Sequence, residues 1–509
     1  MAINPGGNLN SVPSSQKQTL STNYLDLASG STDWGQQYVP DLMEQEAEVF
    51  GSRTISGFLS QVGAEEAMTA DQVVWSEQSR LHISLKGSVD VDGDIGSGTP
   101  GHGDSKGMFT VVSDIDGNIA GDGFAVASHG VRVNDVVLLS YGNNVVRGIV
   151  SMVEIGTSGK IEVLAYGTDT LPGADSSDAT LLVIGSEYAK GTSYTNNAGL
   201  AASDSRQSNE ATFKSFSNKP VIIKDYYQVS GSDASRIGWV EVTTEDGTGG
   251  YLWYLKAASE TRLRFADHLE MMMLEMKKNT HGTDGVDDLI SLNTTPVDGS
   301  TVGTQGLFDA IEDRGNVTTG VTGVSASVDL AEFDAILAEF DKQGAIEENM
   351  MFVNRGTSLA MDDMLASMNS YGAGGTSYGV FSNSEDMALN LGFTGFRRGS
   401  YDFYKSDFRY LNDFATRGGI NATAGSEALR GVIVPAGTST VYDQNLGKNL
   451  RRPFLHVRYR ASQTDNRRMK SWVTGSVGAA TSALDAMEIH MLSERCLITQ
   501  GANNFMLMK

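Results

Sequence analysis

One unbroken run, Tyr251 to Asn279 (YLWYLKAASETRLRFADHLEMMMLEMKKN), contains neither Gly nor Pro in a chain of 509 residues that holds 58 glycines. Gly and Pro are the residues that most oppose helix, so this run commits most strongly to one local structure. Leu255, Ala258, Phe265, Leu269, Met272 and Met276 follow a 3/4 spacing, which predicts an amphipathic helix from near Gly250 to a stop at Thr280-His281-Gly282. Arg262 and Arg264 fall off that stripe and are expected at the surface. About 28 residues at 1.5 Å each make a rod of roughly 40 Å. It carries no chemistry-bearing pattern: His268 stands in His-Leu-Glu-Met-Met rather than the H-E-x-x-H of zinc enzymes, and Met271–Met273 reads as core filler. The rod is expected to be a girder rather than a site.

The length allows two to four units of ordinary domain size, each with its own core. A net charge of −24 argues against nucleic-acid binding through a broad basic face, though not against a shell that encloses DNA without gripping it. The lone Cys496 excludes an intrachain disulfide and a Cys-based zinc site. No apolar run approaches the roughly 18 residues that span a bilayer. The N-terminal stretch is polar, rich in Gly, Asn and Ser, and has neither signal-peptide nor transit-peptide character.

Along the chain, Pro40–Phe50 reads as a short helix, with Pro40 at its first position and Asp41 and Glu44 against the positive end of the dipole. Val73–Gly87 begins an extended region. From Lys86 to Lys190 short alternating strands are separated by explicit turns, Asp116-Gly117 and Tyr141–Asn144 among them, which predicts a small β-barrel or sandwich. That stretch holds 14 Asp and Glu against 6 Lys and Arg, counted residue by residue. Gly191–Lys219 is polar and extended, and PVIIKDYYQVS after it alternates as a strand. Asp329–Phe340 is expected to be a helix opened by a capping box, Asp329 to Glu332, burying Leu330, Phe333, Leu337 and Phe340. Met350–Met368 reads as strand, turn at Gly356, then helix, and the last 130 or so residues return to β-structure.

The candidate chemistry is thin. Gly375–Gly379 (GTSYG) matches the G-x-S-x-G of serine hydrolases, but no apolar strand precedes Ser377 and no helix follows it. Gly96–Gly107 lacks the G-K-[ST] ending of a phosphate loop. Two Asp-rich segments resemble calcium loops, yet counting from Asp90 puts Ile95 and Gly101 where Gly and Glu are required, and from Asp114 Ile119 and Ala125. A loose surface calcium or carbohydrate site within Lys86–Lys190 stays open; no cofactor or metal set is read. The pairs Arg397-Arg398, Arg451-Arg452 and Arg467-Arg468 stand out in so acidic a chain, either as solvated surface or as contacts to acidic patches on a neighbouring subunit.

The order of parts resembles the major capsid proteins of tailed bacteriophages, which share the Hong Kong 97 fold. The residues carrying the likeness are Val74-Trp75-Ser76-Glu77 at the start of an extended E-loop arm, LLVIGSEYAKGTSY (Leu181–Tyr194) and SNKPVIIKDYYQVSGS on its return, the Tyr251–Asn279 rod as a spine helix, and SERCLITQGANNFMLM as closing strands. The resemblance implies an α+β capsid fold: an N-terminal arm (1–35), a short helix and E-loop start (36–85), an inserted β-domain (86–190) longer than a plain E-loop needs, the E-loop return and a linker strand (191–249), and peripheral and axial capsid domains (250–509). It further implies a non-enzymatic virion protein, assembled in the host cytoplasm into pentamers and hexamers of an icosahedral head enclosing DNA. Portal, scaffolding and decoration proteins would be its partners, with no membrane. Arg262, Arg264, Trp75 and the three Arg pairs become candidate subunit contacts. A tail or decoration protein and an encapsulin-type shell are the alternatives nearest to it, and a hydrolase using Ser377 the remotest.

Overall fold

The structure, a computed structural model, describes residues 57–59, 64–78, 80–90, 106–117, 119, 129–153, 159–167, 176–191, 213–232, 242–243, 249–250, 252–278, 303–344, 346–369, 395–436, 438–443, 448–477 and 480–509. The expected helix at Pro40–Phe50, the Ser377 loop and most of the Gly96–Gly107 loop lie outside these residues. The chain divides into two compact units, one of residues 1–61, 222–274 and 461–494, the other of residues 62–221, 275–460 and 495–509.

In chain order, β1 (Ala64–Met68) and β2 (Val73–Gln78) precede β3 (Ser84–Asp90), β4 (Lys106–Asp114), β5 (Asp135–Tyr141), β6 (Asn144–Val153), β7 (Lys160–Ala165) and β8 (Ser176–Ser186). Then come β9 (Phe213–Asn218), β10 (Val221–Ser230), the short β11 (Val242–Thr243) and β12 (Gly249–Gly250), and helix α1 (Leu252–Glu275). Next are α2 (Leu307–Arg314), β13 (Asn316–Thr318), α3 (Ala326–Gln343), β14 (Glu348–Val353), α4 (Arg355–Asn369), β15 (Gly395–Arg398) and β16 (Tyr401–Asp407). The chain ends with α5 (Arg409–Asn412), α6 (Arg417–Asn421), β17 (Gly431–Pro435), the hairpin β18 (Thr438–Asp443) and β19 (Lys448–Pro453), β20 (Leu455–Arg460), β21 (Lys470–Gly475), β22 (Ala486–Thr499) and β23 (Met506–Met508).

The second unit contains a closed barrel, in the order β3-β4-β7-β6-β5-β8, inserted between β2 and β9, which pair with each other as a two-stranded antiparallel ribbon. Inward and outward residues alternate strictly along β5, where Val137, Leu139 and Tyr141 point in, as a half-buried strand demands. Phe109, Val150, Ile161 and Leu181 complete a core that belongs to the barrel alone. Closure leaves no unpaired edge strand to recruit a stranger. At the β-bulge between Lys86 and Gly87 the strands approach so closely that a Cβ on Gly87 would lie 2.0 Å from the Thr110 carbonyl oxygen, so the position requires glycine.

The rest of this unit is built on a six-stranded mixed sheet, β13-β23-β17-β14-β16-β15. Its core joins Phe333, Ile336 and Phe340 of α3 and Met361, Met364 and Leu365 of α4 to Met351, Phe403, Ile433 and Met506 of the sheet. Four expectations are corrected here. Helix α3 starts at Ala326 rather than Asp329, and Ile336 rather than Leu337 is fully buried. The two carboxylates do not close a capping box. Asp329 accepts the Gly323 N–H at 2.8 Å and Glu332 the Thr322 N–H at 2.7 Å, fastening the loop ahead of the helix. Helix α4 begins at Arg355, so Gly356 lies in its first turn and not in a separate one.

The first unit contains α1 up to Leu274, β10, β21 and β22 up to Glu494. The rod is helical for 24 residues, Leu252–Glu275, and its C-terminal end stops short of the expected Asn279. Its buried row is Thr261, Phe265, Leu269 and Met273, joined by Glu270 and Leu274. The 3/4 spacing therefore continues through Met273, with Met272 only half-buried. Arg262 and Arg264 are exposed as expected. Glu270 is buried because its carboxylate accepts the Gly57 N–H at 2.7 Å and the Leu59 N–H at 3.3 Å. Burial raises its pKa against the pull of those amides. The helix stops where other bonds take over: the Met276 carbonyl accepts the Gly306 N–H at 2.7 Å and Lys277 pairs with Asp309 at 3.2 Å.

His129, leading into β5, is 6% exposed and accepts the Val131 N–H at Nδ1. Burial pushes its pKa down to about 4. The unfolded chain therefore takes up this proton near its ordinary value, before the folded one does. The associated stability is complete above about pH 6.5 and is lost as pH falls toward 4, by at most about 3 kcal/mol. Urea unfolding near pH 7.5 and near pH 5 should show a loss about 1–2 kcal/mol greater for the wild type than for His129→Gln. Equal losses would contradict the burial argument.

Candidate functional site

The best-defined polar construction among the described residues is at the base of the β2–β9 ribbon. Asn218, the last residue of β9, is 1% exposed. Its Nδ2 donates to the carbonyls of Gln305 (3.0 Å) and Leu497 (2.6 Å). Its Oδ1 accepts from the N–H of Gln305 (2.9 Å), the Thr304 hydroxyl (3.1 Å) and the N–H of Lys219 (2.9 Å). A buried amide with both ends satisfied is rigid, because any displacement strands several polar groups at once. Next to it the Lys278 ammonium donates to the Ser217 carbonyl.

On β2, Trp75 is 8% exposed and packs with Met68, Cys496 and Ile498. Its Nε1 donates to Glu77 at 2.9 Å, and the same carboxylate accepts the Gly501 N–H at 3.0 Å. The Arg314 guanidinium lies 4.3 Å from the Phe216 ring centroid and 5.6 Å from that of Trp75, with Glu77 at 3.4 Å. Burial pulls the Arg314 pKa down, and Glu77 and Asp313 oppose it. A planar cation over two aromatic rings is a good filler for such a place. Cys496 is fully buried, and burial pushes its thiol up to about 12, so it stays protonated near neutrality.

The cationic candidates are spread over the chain. Arg398 makes a bidentate pair with Asp334, 2.7 Å from its Oδ2, and Arg397 reaches Asp402 at 3.6 Å while staying 63% exposed. Arg467 pairs with Glu494 at 2.8 Å, and the Arg468 carbonyl accepts the Ser493 hydroxyl at 2.6 Å. Arg451 and Arg452 lie on β19, paired with Thr440 and Ser439 of β18; their side chains are outside the described residues. Arg264 reaches Asp225 of β10 at 3.3 Å. Trp75 is packed within its own unit. Arg262, Arg264, Arg467 and Arg468 belong to the first unit, and Trp75, Arg397, Arg398, Arg451 and Arg452 to the second.

The first unit also presents an aromatic row. Trp472 of β21, His490 of β22 and Tyr226 of β10 stand stacked across three strands, with centroids 5.3 and 6.2 Å apart and the Lys470 ammonium 5.9 Å from the Trp472 ring. Tyr226 stays 57% and Trp472 38% exposed. Large rings left in water on a sheet face suit a contact surface. Among the described residues no group of three His, Cys, Asp or Glu could hold a metal ion, and no helix is long and apolar enough to cross a membrane.

Sequence reasoning missed Asn218, Gln305, Arg314 and Glu77 as a group. Asn218 had only a faint signal, a polar residue closing a strand before Lys219-Pro220. Nothing local marks Gln305, which lies 87 residues away.

No protein-family model matches the sequence, and no curated protein matches it. Among solved structures the chain is similar to one from Microbacterium phage Oxtober96, at 9% identity over 92% of this chain and 96% of that one, TM-score 0.36. It is also similar to a chain in the mature capsid of bacteriophage PhiM1 (10% identity, 61% and 78%, TM-score 0.30) and to one in the capsid of cyanophage P-SCSP1u (7% identity, 63% and 80%, TM-score 0.31). TM-scores of this size describe a loose likeness.

Removing the Asn218 amide should be costly and specific. Asn218→Ala strands two carbonyls, a hydroxyl and two backbone N–H groups, and should lower the urea-unfolding free energy by about 3 kcal/mol. Asn218→Asp keeps the acceptor but sets a carboxylate against two carbonyls, and should cost at least as much. A loss below about 1 kcal/mol for both would mean that water replaces the network.

Proposed function

We propose that this chain is the major capsid protein of a tailed phage, a non-enzymatic protein that assembles with copies of itself into an icosahedral head around double-stranded DNA. The observation that carries the reading is the placement of a whole barrel, with its own core, between two strands of a ribbon whose base is fixed by Asn218 and Glu77. Such an insertion suits a protein whose business is contact with neighbours. In this reading residues 1–35 are an arm, 36–85 and 191–249 the two sides of the E-loop, 86–190 the inserted domain, and 250–509 the peripheral and axial domains with α1 as spine.

The energetic logic favours many modest contacts. A closed shell repeats one interface many times, so each can be weak while closure multiplies the effect. Exposed cations such as Arg262, Arg397 and Arg468, the aromatic row of Tyr226 and Trp472, and the acidic barrel are suitable surfaces for such contacts. An acidic chain holds DNA loosely, so the genome can be driven in and later released. Scaffolding, portal and decoration proteins would be separate partners.

The test is to express the chain alone and with the proteins encoded beside it, and to view the products by negative-stain electron microscopy. Closed icosahedral particles, or rings of five and six subunits, are expected. Filaments would favour a tail protein, and a persistent monomer in both preparations would overturn the proposal. Within it, Arg262→Glu should leave the melting temperature within about 2 °C of wild type, since exposed charges contribute little to folding, while reducing the assembled fraction several-fold in sedimentation. Unchanged assembly would remove Arg262 from the contact.

A further inference from the structure

Arg80 lies in the short connector between the ribbon and the first barrel strand, and it bonds in two directions. Its Nε and Nη2 reach the Asp116 carboxylate, in the turn after β4, at 2.6 to 3.0 Å. The same Nη2 donates at 2.9 Å to the carbonyl of Lys342, in the last turn of α3. That carbonyl is among the last four of the helix, which have no partner within it, and an arginine there also meets the negative end of the dipole. Gly344 caps the same turn in the left-handed conformation, with φ 64°.

The barrel and the sheet body have separate cores with no residue in common. Arg80 is placed to couple them: it holds the barrel through Asp116 and the body through Lys342. The pair is half in water, with the Arg80 side chain 40% and Asp116 33% exposed. Ion pairs exposed to this degree contribute little and are weakened by salt. Leu81 next to it is 86% exposed and adds little apolar burial, while Ile83 packs against the barrel's own core.

We infer that Arg80 is a salt-sensitive clamp that fixes the inserted barrel against the end of α3, and that breaking it lets the barrel move as a body on the connector. The barrel can then take more than one orientation without unfolding, and ionic strength selects among them. This inference does not depend on the capsid reading.

Spin labels at Val145→Cys on β6 and Ala338→Cys on α3, both exposed positions, report the separation by pulsed electron paramagnetic resonance on the full chain. The native Cys496 is buried and stays unlabelled. A large excess of unlabelled protein removes distances between copies. The wild type should give one narrow distribution at low salt. Arg80→Ala and Asp116→Asn should each broaden it at least about twofold, and about 1 M NaCl, where the Debye length is ~3 Å, should do the same to the wild type. Arg80→Lys, which cannot span both partners with a planar fork, should fall between. Circular dichroism and an unchanged barrel hydrogen-exchange pattern separate motion from unfolding. A distribution equally narrow in Arg80→Ala and at high salt would overturn the clamp.

Discussion

Five hydrogen bonds to one side chain, the Asn218 amide, fix where the chain returns from the inserted barrel. The strand ending at Asn218 is joined through it to the segment before α2 and to β22, which are far apart in sequence. Each bond alone contributes modestly. Their common dependence on one buried amide makes them cooperative, because water cannot replace them one at a time. Glu77 does the same for the other ribbon strand by joining Trp75, Arg314 and Gly501. Everything inserted between β2 and β9 inherits its origin from these two residues.

From that base outward the interactions weaken in an order that matches what each part has to do. The ribbon is anchored by buried, saturated hydrogen bonds. The barrel keeps its shape through its own apolar core and a closed ladder. Arg80, a half-exposed guanidinium, bonds both the barrel turn at Asp116 and the end of α3. A rigid root, a rigid module and a soft link between them allow a surface to adapt to slightly different neighbours without repacking any core. On the proposed capsid reading, quasi-equivalent positions in a shell would require such adaptation.

Much of this was legible in the sequence, and the exceptions have physical causes. The barrel could be read because period-2 alternation and turn residues are local signals, as in Asp135–Tyr141. The rod could be read because Tyr251–Asn279 lacks both helix breakers, but its end could not: Met276 and Lys277 leave the helix for partners at Gly306 and Asp309. The Asp329–Glu332 spacing suggested a capping box, yet both carboxylates serve the preceding loop. The Arg pairs were visible as charge. Their intrachain partners Asp334 and Glu494 were not, since no local pattern announces a contact across dozens of residues. Asn218 and Arg314 illustrate the limit most clearly: ordinary residues become central only when distant segments converge on them.

Sedimentation velocity of wild type and Asn218→Ala, at a temperature where circular dichroism shows both folded, tests the central claim most directly. If the pinned ribbon is what orients the chain for contact with its copies, the wild type sediments as large assemblies and Asn218→Ala as small species with an intact barrel. Assembly of Asn218→Ala to the same size and extent as the wild type would contradict the account.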